Sequence, residues 1–229
     1  ALTIDADSMQ DASDESYGVR DFALSGGVSS PQALIVDGNL DADGAISSLS
    51  TLSVTGTSSL NGDVTSSSTQ DYTGNVTVAN DITLTTTNSQ ITFTGTVNSE
   101  ATEANDLTIS VGTSEVEFDS AVGGGTDGAL GAIGITGALD LDAAITSAAS
   151  LAVSGTSNLA ADVTTSSTQQ YDGAVALSVN VILTTTDSNL TFNGTVNSVN
   201  TTNRALTINL DGNGGGTTAD VIFGNATAD

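Results

Sequence analysis

Carboxylates and amides are the side chains of this chain with the clearest chemical potential. Asn39, Asp41 and Asp43 place oxygen ligands at alternate positions and Gly44 follows, as at the start of a calcium-binding loop. The twelfth position of such a loop would be Ser50 rather than a bidentate Glu, and the later copy of the stretch has Ala138 and Ala143 where Asn39 and Gly44 stand. The competing reading is an acidic turn facing water. A second run, Asp5, Asp7, Asp11, Asp14 and Glu15, is either a weak divalent-cation site or a solvated loop. Paired carboxylates hydrolyse sugars in some β-helical enzymes. No pair is singled out here, and Arg20 and Arg204 are the only cations available to line a substrate cleft. The expectation is that the chain is not an enzyme and has no cofactor, with Ca2+ the one ion to consider.

Composition removes most other chemistry. The chain has no Cys and no His, which excludes disulfides, thiolate nucleophiles and imidazole bases, and nearly all zinc chemistry. Two Lys+Arg stand against 27 Asp+Glu, a formal net charge of −25. Binding nucleic acid by neutralising phosphates needs cations this chain lacks. Docking to anionic lipid is disfavoured for the same reason. No apolar run approaches the ~18 residues of a membrane helix. So acidic a surface is self-repelling and favours divalent cations, high salt or basic partners.

The elements that carry these residues are written twice. Residues 52–99 return as residues 151–198 without a gap: Tyr72 maps to Tyr171, Phe93 to Phe192 and Asn98 to Asn197. The correspondence extends back to Leu34, Val36 and Leu40, which map to Ile133, Ile135 and Leu139. The triplet Leu107-Thr108-Ile109 returns as Leu206-Thr207-Ile208 and has a further copy at Leu2-Thr3-Ile4. Val221-Ile222-Phe223 resembles Val116-Glu117-Phe118. The repeats are thus 34–132 and 133–229, with 1–33 a partial preceding one. A long internal period marks a stacked architecture, in which each unit buries its apolar face against its neighbours.

Within the repeat, alternation is of period two. Ile91, Phe93 and Val97 are apolar, with Thr92, Thr94 and Thr96 between them, which predicts a strand with one buried face. Val, Ile and Thr favour a pleated surface, and Gly, Asn, Asp and Ser between the runs favour turns. Residues 137–150 could pass for a helix, but their copy at 38–51 contains Gly44 and several serines, which predicts a shared non-helical structure. The whole is expected to be all-β: a single elongated parallel β-solenoid with ~20 residues per coil, about five coils per repeat and about eleven overall. Tandem β-sandwich domains are the alternative.

Ser-Thr-Gln-x-Tyr-x-Gly-x-Val (68–76 and 167–175), Leu-Thr-Thr-Thr (84–87 and 183–186) and Thr-Phe-x-Gly-Thr-Val (92–97 and 191–196) together resemble the repeats of very large bacterial surface proteins. These are the filamentous-haemagglutinin-like and autotransporter-like adhesins. The resemblance implies a right-handed β-helical shaft, an extracellular, cell-surface location and a structural or adhesive role. It offers no catalytic residues.

The expected function is therefore a non-enzymatic structural protein of the cell exterior, a filament subunit or the shaft of a giant adhesin, self-associating through its ends. The alternative is a carbohydrate- or ice-binding adhesin module that uses outward threonine rows such as Thr83, Thr85 and Thr87.

Overall fold

The computed structural model describes residues 2–5, 21–24, 33–124, 128–200, 202–210 and 218–224. Every strand pairing among them is parallel, and none of them is helical. A sandwich built of antiparallel hairpins is therefore excluded, and the chain is a β-solenoid. The stretch 137–150 lies within strands Leu130–Leu141 and Ile145–Val153 and the bend between them.

Each turn has three faces. On face A, Leu2–Asp5 pairs with Leu34–Asp37, which pairs with Leu52–Val54, then Gln70–Tyr72 and Ile91–Phe93. The column continues through residues 116–118 and 139–141 to Ser157–Leu159, Val175–Leu177 and Val196–Ser198. Face B starts with Asp21–Leu24 and Asn39–Ala42 and ends with Leu206–Asn209. Face C runs from Ile46–Leu49 to Val221–Phe223. Eight full turns separate Leu34 from Val196. At ~4.8 Å per turn they form a rod about 40 Å long.

The eight turns average the expected ~20 residues each, the figure of about eleven being for the whole chain, but individual turns differ in length. Leu34, Leu52 and Gln70 stack at eighteen-residue steps, whereas Ile91 and Val116 stack twenty-five apart. In the short turns a buried side chain recurs every six residues, at Leu34, Leu40, Ile46, Leu52, Ser58, Val64, Gln70 and Val76. Each face is thus a strand of three or four residues plus a corner.

The repeat is not a whole number of turns. Leu34 lies on face A, while its copy Ile133 lies on face C. Leu40 lies on face B and its copy Leu139 on face A. One repeat advances four turns and two faces. Local structure is kept while the face changes. Tyr72, Phe93 and Phe118 stack on face A with ring centroids 5.2 and 5.0 Å apart, and Tyr171, Phe192 and Phe223 stack on face C at 5.4 and 5.4 Å. One continuous cluster of buried apolar side chains runs from Leu34 to Phe192.

Corners are held in two ways. Glycines stack where backbones approach: a Cβ on Gly74 would lie 2.2 Å from the Gly56 carbonyl oxygen, and one on Gly173 at 2.2 Å from that of Gly155. No side chain fits at those positions. The second device is an Asx side chain that accepts a backbone amide from the next turn, described below.

Candidate functional site

Most of the acidic and amide side chains at corners have a structural task. Asp63 Oδ1 accepts the Thr83 amide at 2.7 Å, Asp81 Oδ1 that of Asp106 at 2.8 Å, and Asp106 Oδ1 that of Ala132. Asp162 and Asn180 do the same for Ile182 and Ala205. Asn39, Asn75 and Asn98 accept amides of Thr57, Thr96 and Gly124. A short side chain with an acceptor oxygen is suited to satisfy corner amides that no strand ladder reaches. The charges of Asp63, Asp81, Asp106 and Asp162 are therefore built into the stack.

One group of acids is placed differently. Glu117 projects outward from mid-strand on face A, with Thr92 below it and Asp140 above. Asp119 and Asp142 follow at the corner, where the Asp142 amide donates to the Phe118 carbonyl at 3.0 Å. Carboxylate oxygens of Glu117, Asp119 and Asp142 all lie within 4.8 Å of one another, the only such trio of acidic groups among the described residues. In-register parallel pairing forces this proximity, and like charges on adjacent strands repel. Desolvation, then the charges of Asp119, Asp140, Asp142 and Glu115, raise the Glu117 carboxyl above its ordinary range. Desolvation, then Asp140 and Asp119, raise that of Asp142. Gln90 Nε2 donates to Glu117 Oε2 at 2.7 Å, a neutral neighbour that offsets none of the charge. Chemically, the trio is a hard oxygen-donor patch of the kind that accepts a proton or a divalent cation.

The residues singled out from the sequence lie elsewhere. Asn39 and Asp41 belong to the extended strand Asn39–Ala42, with Asp43 just beyond it, so they alternate along a strand instead of curling into a loop. Asn39 Oδ1 is bound to the Thr57 amide. Of the acidic N-terminal run, Asp5 ends a described strand, and Asp7, Asp11, Asp14 and Glu15 lie outside the described residues. Sequence reasoning missed the Glu117 trio. Asp119 and Asp142 are brought together by a twenty-three-residue turn, a length no local motif encodes.

The outward threonine row on face C reads Thr83, Thr108, Gly134, Ala152, Gln170, Thr191, Ile222. It is interrupted in the middle. Thr86 continues the expected alternation by turning inward, where its hydroxyl donates to the Ser89 carbonyl.

The two ends of the stack form the remaining candidate surface. At the C-terminal end, Val196, Leu206, Ile208 and Val221 are only partly buried, and Phe223 is 67% exposed with one ring face against Phe192. Their copies Val97, Leu107, Ile109, Val116 and Phe118 are fully buried. No protein-family model, curated protein or solved structure matches this chain.

Proposed function

We propose that this chain is a non-enzymatic structural protein of the cell exterior, acting as a β-solenoid filament subunit or as a length of an adhesin shaft. One observation carries the reading: among the described residues parallel pairing continues from turn to turn around one shared core, so their unpaired strand edges are confined to the two ends. Such a ladder resists bending and presents few edges along its sides for lateral sheet pairing. A dense negative surface keeps neighbouring rods apart. The carbohydrate- or ice-binding alternative draws less support, because the face C row gives a ligand no unbroken threonine lattice. Electron microscopy of the purified chain tests the proposal. Filaments one rod wide are expected. Monodisperse short rods at all concentrations would remove the subunit reading and leave the shaft.

A further inference from the structure

The first and last layers of this chain are copies of one another. Leu2–Asp5 and Leu206–Asn209 both carry Leu-Thr-Ile, as do residues 107–109. Inside the chain the middle copy shows what that layer pairs with: residues 107–110 lie in register with residues 133–136, the copy of Leu34–Asp37. Leu2–Asp5 does the same at the N-terminal end, where Thr3 is the partner of Ile35. The next face agrees. Residues 116–118 pair with residues 139–141, and Asp21–Leu24 pairs with Asn39–Ala42, which 139–141 repeat. Val221–Phe223 is the matching strand at the far end. No described strand lies beyond Leu206–Asn209 or Val221–Phe223, and their inward side chains are partly exposed where the equivalents are fully buried.

On the reading of the chain as a filament subunit, we infer that Leu2–Asp5 and Asp21–Leu24 act as an exchangeable cap, holding the Leu34–Asp37 and Asn39–Ala42 face until the C-terminal layer of a second copy replaces them. The occupant is a second copy of this chain because the chain already contains the finished interface. The pairing of residues 107–118 with 133–141 is the template, and the C-terminal layer repeats its lower half while Leu34–Asp37 and Asn39–Ala42 repeat its upper half. In the exchanged state Leu206 and Ile208 cover Leu34 and Val36 of the next copy, and Phe223 is buried over its Ala42. Plain end-on stacking without exchange would set two copies of the same layer against each other, a pairing found nowhere in the described chain.

The geometry of the filament follows. From Leu2–Asp5 to Leu206–Asn209 the chain climbs nine turns and one face, so each added copy rises about 45 Å at ~4.8 Å per turn. It is rotated by one face, a third of a turn, and the fourth copy repeats the orientation of the first.

The absence of native cysteine makes the test direct. In the full chain, Ile35→Cys with Thr207→Cys places the two sulfurs on adjacent strands only across an exchanged interface, at a spacing a disulfide spans. Oxidation is expected to give a ladder of covalent multimers, with Thr65→Cys plus Thr207→Cys as the mispaired control that stays monomeric. Thr3→Cys with Ile35→Cys closes within one chain and locks the cap. That variant is expected to form no filaments when oxidised and to regain them on reduction. Filaments that form from the locked chain, or that give no Ile35–Thr207 cross-link, would overturn the exchange and leave the filament reading standing. Absence of both filaments and cross-links in the unlocked protein would overturn both.

Discussion

The Tyr72 hydroxyl donates to Gln70 Oε1 across 3.0 Å with both side chains buried, and Tyr171 repeats the contact to Gln169 at 3.1 Å on a different face. Gln70 Nε2 in turn reaches the carbonyls of Val64 and Thr85 at 3.3 and 3.0 Å and Ser66 Oγ at 3.3 Å, tying consecutive turns together. Gln70→Leu strands the tyrosine hydroxyl, at a cost of about 1–3 kcal/mol for that group alone. Adding Tyr72→Phe removes the stranded group, so the double variant is expected to be more stable than Gln70→Leu. Urea unfolding of the four proteins in the cycle measures this, and additive losses would show that the two side chains act independently. Burial also raises both phenols above their ordinary range, with the Asp71 charge adding at Tyr72. The folded state therefore holds these protons more tightly than the unfolded chain. That stability is complete below about pH 10 and is lost as pH rises further.

Ser58 and Ser157 are the same repeat position, and each buries a hydroxyl with no protein hydrogen-bond partner. Each stands in a row of inward apolar side chains: Ser58 between Leu40 and Val76, Ser157 between Leu139 and Val175. Replacing either by Ala removes an unsatisfied polar group without opening a large cavity. We expect each substitution to stabilise by about 1 kcal/mol and the pair to add, because several turns separate them. Thermal unfolding of the single and double variants reads the effect. A fall in Tm would place a buried water on the hydroxyl.

The strand periodicity of 91–97, the repeat and the non-helical nature of 137–150 were legible because each depends on neighbouring residues or on self-similarity. Stacking partners were not. The six-residue recurrence from Leu34 to Val76 sets the length of a face, but insertions beyond Ile82 lengthen later turns, and the face on which Ile133 lands depends on their sum. Two further facts were hidden for the same reason. The amide that Asp63 accepts belongs to Thr83, and the neighbour of Asp119 is Asp142. Turn residues such as Asp63 and Asn75 announced corners correctly, while their partners emerged only once the winding was known.

The Glu117, Asp119 and Asp142 trio gives the rod a local pH response of definite sign. Glu117 and Asp142 have folded-state carboxyls raised above their ordinary values of 4.5 and 3.8. A raised acid favours the folded state when protonated, so its contribution is fully present at low pH and is lost as pH rises through the folded-state value. Once ionised, the three carboxylates repel one another across adjacent turns. Glu117→Gln keeps an oxygen to accept from Gln90 Nε2 and removes one of the repelling charges. It is expected to raise Tm at pH 7, with the gain shrinking as the pH is lowered and the native carboxyl takes up its proton. Overall charge must be separated from local repulsion, since any lost acid relieves a net −25. Asp43→Asn removes the same unit of charge from an exposed position outside the trio and is the control. Equal gains from the two variants would show that the repulsion is spread over the whole rod. A larger gain from Glu117→Gln, diminished by added salt, is the result that in-register stacking of like charges requires.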